Sequence, residues 1–110
     1  MGKADRLQGT LDLLILRALS HRAQHGFGIV EQLRNWSDDA LVVEEGSLYP
    51  ALHRLEREGL LAADWKRTEN GRRAKYYKLT RSGRKRLDEK IGQWERLTAA
   101  VSLVLERSAS

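Results

Sequence analysis

Ten lysines and arginines lie between Lys66 and Arg86 against one acid, Glu69, a local balance of +9 in a 110-residue chain of net charge +5. The remainder is therefore mildly acidic, and the positive charge is gathered on one stretch. A basic block of this kind is the electrostatic footprint of a polyanion partner. Other chemistries find less support. With no cysteine, thiolate nucleophiles, disulfides and thiolate metal sites are out of reach. His21 and His25 stand four apart, as a metal pair on a helix would, but no third ligand accompanies them and Gly26 breaks the helix. There is no glycine-rich phosphate loop and no carboxylate pair at defined spacing. An enzyme is not expected, nor is a metal or a cofactor.

The stretch that could present polar groups to such a partner is EGSLYPALHRLEREGL, residues 45–60. Ser47 is a good helix N-cap, since its hydroxyl can accept a backbone N–H left free by the first turn. Pro50 would then fall in that first turn, where a missing N–H matters little. Gly59 can leave the helix in a left-handed conformation, with Leu60 packing back on Leu55. At about 100° per residue, Leu48, Ala51, Leu52 and Leu55 form one apolar stripe. Tyr49, Pro50, His53, Arg54 and Arg57 fall on the other side. A short helix with such a face suits the major groove of DNA, although alone it also fits a solvated amphipathic helix.

Its neighbours decide between the two. Residues 1–9 are expected to form a flexible arm, and Thr10 to cap a helix through LDLLILRALS. Apolar residues there occupy nearly the whole circumference, Arg17 being the obvious exception, as in a central core helix. Phe27, Val30 and Leu33 repeat at helical spacing, with Ile29 and Trp36 filling the stripe, so a second helix should run to Trp36 with its aromatics in the core. Ser37-Asp38-Asp39 reads as a turn and Leu41-Val42-Val43 as a short strand. Two helices joined in this way are helix-turn-helix material.

After Leu60, LAADWKRT and RAKYYKL read as two strands joined at Glu69-Asn70-Gly71-Arg72, where Asn-Gly is a strong hairpin signal. A two-residue loop would set Trp65 opposite Tyr76 and Lys66 opposite Lys75. Like charges facing each other are unfavourable, and are easier to understand with a phosphate between them. The tip carries Arg67, Arg72, Arg73 and Lys75, a basic wing beside the candidate recognition helix. Residues 10–79 thus read as a winged helix-turn-helix domain.

Residues 80–110 hold one long helix, capped by Thr80 and running from about Arg81 to Arg107, about 40 Å at 1.5 Å per residue. Leu87, Ile91, Trp94, Thr98, Val101 and Leu105 alternate steps of four and three, a heptad seam widened by Leu97 and Val104. A domain this small cannot cover such a seam, so a second copy of the chain is the expected partner, the alternative being that the helix folds back onto its own domain. Gly92 beside Trp94 leaves room for a flat aromatic ligand, or for a close helix crossing. No apolar run approaches the ~20 residues of a membrane span, and MGKADRLQG lacks a signal-type apolar region. No membrane partner is expected, and a cytoplasmic location is. The fold class is mainly α with a small β-hairpin.

GTLDLLILRAL, HGFGIVEQL, EGSLYPALHRLEREGL and ENGRRAKYYKLTRSGRKRL together resemble the PadR family of bacterial transcriptional regulators, over about Arg6 to Leu87. The final helix is similar to that of the smaller PadR subgroup. The resemblance implies a homodimer joined through its C-terminal helices that binds double-stranded DNA and usually represses transcription. It assigns Ser47, Tyr49, Pro50, His53 and Arg54 to the recognition helix and Asn70 to Lys75 to the wing. Many members carry tyrosines at the start of the second helix, where this chain has His25 and Phe27. Some bind flat aromatic compounds between the C-terminal helices, which would fall at Trp94. The expected mechanism has His53 and Arg54 at base edges of a roughly palindromic operator, and Arg72, Arg73 and Lys75 at phosphates. The alternative is a protein-interaction module with only non-specific DNA affinity.

Overall fold

The computed structural model describes residues 3–108, with side chains from residue 9 onward. Four helices and a small sheet follow in the order α1 (Lys3–Leu19), β1 (Gln24–His25), α2 (Gly26–Trp36), α3 (Glu45–Arg57), β2 (Leu61–Arg67), β3 (Arg73–Leu79) and α4 (Arg81–Ser108). The strands are antiparallel in the order β1-β3-β2. This is a winged helix-turn-helix extended by one long helix.

The all-round apolar helix is central, as its composition demands. Ile15, Leu16, Ala18 and Leu19 of α1 are buried with Ile29 and Leu33 of α2 and with Leu48, Ala51, Leu52 and Leu55 of α3. Tyr77 of β3 and Leu87 of α4 close the same cluster. Two expectations for α1 are corrected. The helix begins at Lys3 rather than at Thr10, because nothing in residues 3–8 stops a helix and an interior glycine such as Gly9 costs only about 1 kcal/mol. Arg17 is exposed as expected, but Asp12 is a second polar exception and lies buried.

α2 buries Ile29 and Leu33, whereas Phe27 and Trp36 are exposed at 55% and 51%. Expected in the core, these rings instead flank the apolar stripe and open onto solvent. His25 caps the helix, its Nδ1 accepting the Gly28 N–H at 3.1 Å. The following turn places Asp38 and Asp39 in the left-handed region, φ 51° and 68°, which short polar side chains tolerate better than most. Ser37 Oγ receives the Leu41 N–H at 2.8 Å, and Arg34 Nε donates to Asp39 Oδ1 at 3.1 Å. Leu41-Val42-Val43 forms no strand. A strand needs a ladder partner, and the second edge of β3 is taken by Gln24 and His25.

α3 starts earlier than expected as well. Its first residue is Glu45, and the Glu44 carbonyl receives the N–H groups of Ser47 and Leu48 at 3.0 Å each. Ser47 therefore lies within the first turn and is not the cap. Pro50 falls one turn further in, where it has no N–H to return to the exposed Gly46. The helix ends as read: Gly59 has φ +79°, its N–H meets the Glu56 carbonyl and the Leu60 N–H meets the Leu55 carbonyl, both at 3.0 Å. These two bonds define a Schellman ending.

The hairpin register is shifted by one from the pairing that a two-residue loop would give. Trp65 stands opposite Lys75, Lys66 opposite Ala74 and Arg67 opposite Arg73. Gly71 N–H bonds the Thr68 carbonyl at 2.9 Å, Thr68 N–H bonds the Arg72 carbonyl at 2.7 Å, and Gly71 has φ +81°. This is a three-residue loop, a turn followed by a left-handed glycine. Asn-Gly serves either loop, and the longer one moves every partner by one place.

α4 is capped by Thr80, whose Oγ1 accepts the Gly83 N–H at 3.0 Å and donates to the Gly59 carbonyl at 2.7 Å. A Cβ at Gly83 would stand 2.1 Å from the Leu60 carbonyl oxygen. Only glycine lets the start of α4 lie this close to the exit of α3.

Candidate nucleic-acid interface

The sheet alternates faces along each strand, and the observed register shows which face turns inward. Tyr77 is buried, Lys75 Nζ donates to Glu56 Oε1 of α3 at 2.9 Å, and Trp65 and Arg73 share that face further out. The Arg73 guanidinium lies 5.6 Å from the centre of the Trp65 ring, and Lys75 Nζ 5.4 Å from that of Tyr77. Tyr76 takes the opposite face, with Lys66 at 5.8 Å from its ring centre and His25 edge-on at 5.2 Å. Aromatic rings thus hold three of the wing's cations in place. The Glu56 hydrogen bond raises the Lys75 ammonium above its ordinary pKa, and burial raises the Tyr77 phenol.

An open cleft lies between the wing and the length of α2, with Tyr49 of α3 at its edge, lined by Phe27, Trp36, Trp65, Arg72, Arg73 and Lys75 among others. Gly26 is buried beneath the Tyr49 ring, where a Cβ would come within 2.7 Å. Of the expected contact residues, Ser47, Pro50, His53 and Arg57 are exposed on α3, Tyr49 is 37% exposed, and Arg67, Arg72 and Arg73 are exposed on the wing. Lys75 is half-buried against Glu56.

Arg54 differs from the expectation that placed it on the outer, base-reading face. Its Nη2 donates to Asp12 Oδ1 of α1 at 2.6 Å and its Nη1 to Glu58 Oε1 at 3.1 Å. The Asp12 bond raises the guanidinium above its ordinary pKa. The helical wheel of α3 gave no sign of this, because the partner lies on another element. The aromatic lining contributed by Trp65, Tyr76, His25 and Phe27 was likewise missed. Alternation of rings and cations along the wing was its signal in the sequence. The two histidines do not converge: His21 packs edge-on against Trp36, ring centres 4.8 Å apart, while His25 caps α2.

The candidate dimer seam divides. Leu87 is 1% exposed within the chain's own core and Ile91 packs against that core, so Leu87 is not a surface residue as the heptad reading had it. Trp94, Leu97, Val101, Val104 and Leu105 are exposed at between 45% and 65%. Thr98 is half-buried, its hydroxyl turned back to the Trp94 carbonyl at 3.0 Å. No helix among the described residues is long and apolar enough to cross a membrane.

A helix pair followed by a basic, aromatic-braced wing defines a winged helix-turn-helix protein of the DNA-binding kind. The model of the PadR-like transcriptional regulator family matches residues 15–89, and the chain belongs to that family. It is 37% identical over 89 residues to a transcriptional regulator of Mycobacterium tuberculosis, covering 78% of this chain and 79% of that protein. Among solved structures it resembles a transcriptional regulator from Clostridium thermocellum, with TM-score 0.80 and 30% identity over 89% of this chain and 95% of the other. A PadR family transcriptional regulator from Eggerthella lenta matches with TM-score 0.76 and 35% identity, over 94% and 88%. Members of this family regulate transcription by binding DNA and are not enzymes.

Proposed function

We propose that the chain is a sequence-specific repressor that acts as a homodimer on a palindromic operator. The observation that carries this reading is the exposed apolar run from Trp94 to Leu105 on a helix whose first half is already packed. A second copy covering that run would present two α3 helices to successive major grooves, about 10 base pairs apart. Ser47, Tyr49, Pro50, His53 and Arg57 then face the groove, and Arg67, Arg72 and Arg73 meet phosphates from the wing, while Lys75 stays on Glu56. Covering a promoter in this way represses it, in the cytoplasm where the chromosome lies. Trp94, 45% exposed beside Gly92, offers a face to a flat aromatic effector. Such a ligand would release DNA only by binding two dimer states with different affinity.

Selection of bound sequences from random DNA tests the proposal. A symmetric pair of half-sites is expected. Micromolar binding without sequence preference would favour an interaction module whose basic wing is a solvated face.

A further inference from the structure

The outer surface of α3 divides into three lengthwise strips at 100° per residue. Pro50, His53 and Arg57 form the middle ridge. Tyr49 and Glu56 lie on the wing side, and Ser47, Arg54 and Glu58 lie on the α1 side. An ion pair grips each flank: Glu56 to Lys75 of β3 at 2.9 Å, and Arg54 to Asp12 of α1 at 2.6 Å. The two grips differ in depth. Lys75 and Glu56 keep about a third of their side-chain surface, whereas the Asp12 side chain keeps 9% and that of Arg54 24%.

We infer that Asp12 is a positioning residue that fixes the rotation of the recognition helix about its own axis through Arg54, leaving Arg57 as the guanidinium that reads the groove. This rests on the DNA-binding reading above. A buried carboxylate that loses its counter-charge is strongly destabilising, so Arg54 does not leave Asp12 for a base edge. The short charge-assisted bond fixes a direction as well as a distance. Asp12 and Arg54 are 42 residues apart in sequence, so the pair links the central helix to the probing one. With both flanks held, the ridge of Pro50, His53 and Arg57 can point only outward. A few degrees of roll would move the Arg57 head group off a base edge, while phosphate contacts from the wing would survive.

The test compares Asp12→Asn, Arg54→Met, the double variant Asp12→Leu/Arg54→Met and Arg57→Ala. Operator and random-DNA affinities are measured across salt, and α3 amide exchange without DNA. Replacing both partners by apolar groups leaves no buried polar atom without a partner, so the double variant should melt close to the wild type. Its α3 amides should exchange faster and its operator affinity should fall roughly tenfold, with random-DNA affinity and salt slope unchanged. Arg57→Ala should weaken the operator and relax selection at one base position. A double variant that binds the operator like the wild type overturns the inference. So does Arg54→Met lowering the salt slope by about 0.9 while Asp12→Asn binds normally, since Arg54 is then a phosphate ligand. If the wild type selects no sequence, the regulatory reading fails instead. Amide exchange still decides the helix grip, and unchanged exchange in Asp12→Asn overturns it.

Discussion

The two halves of α4 share one heptad pattern and meet different fates. From Arg81 to Ile91 the helix lies on its own domain: Gly83 and Leu87 are buried, and Arg84 Nη2 donates to the Ser20 carbonyl of α1 at 3.3 Å. From Trp94 onward the same apolar spacing continues into solvent, and the molecule stretches to 58 Å against 29 and 25 Å in the other directions. The first half is explained by intramolecular packing. The second has no such explanation, since exposing large apolar side chains over about three turns is unfavourable without a partner. In the proposed homodimer the repeat that outlasts its own core is the assembly surface, and the changeover falls between Ile91 and Trp94.

Substitutions in each half separate these roles. Leu97→Asp with Val101→Asp in the outer half should give the largest effect: monomers by sedimentation, and operator affinity reduced by ~10²–10⁴ as the linked second site is lost. Circular dichroism should remain that of the folded domain, and a dimer that persisted would break the comparison. Leu87→Ala in the inner half should cost ~2–5 kcal/mol in urea unfolding at fixed protein concentration, through the cavity it leaves, while dimers still form. Thr80→Ala should cost about 1 kcal/mol, since it removes the cap bond to Gly83. The smallest effect is set by pH and belongs to the domain. Lys75 and Tyr77 both have folded pKa values raised above the unfolded ones. The stability they contribute is complete below pH ~10 and is lost as pH rises through the folded values. Urea midpoints should be flat between pH 8 and 9 and fall beyond 10.

What the sequence discloses here is what is local. The ending at Gly59-Leu60, the Thr80 cap and the span of α4 each depend on residues within a turn of one another, and each stands in the structure where its motif lies. Asn70-Gly71 marked the hairpin but not its loop length, because both residues suit a two-residue or a three-residue connection. The third strand was misplaced onto Leu41-Val42-Val43, since propensity cannot report that a ladder edge is already occupied by Gln24 and His25. The least legible contact is Asp12–Arg54, which joins two helices through a polar pair that no periodicity on either one encodes.

The joint between α3 and α4 has a mechanical meaning. Thr80 ties the Gly59 carbonyl to the first turn of α4, and Gly83 lies against the Leu60 carbonyl without a side chain between. Both contacts bind the first turn of α4 to the residues by which the chain leaves α3. Over a lever about 40 Å long, a tilt of about 5° at this pivot sweeps the far tip by about 3.5 Å. In the proposed homodimer, a change in the crossing angle of the two rods would be passed to the probing helices and would alter the spacing of DNA that the pair fits.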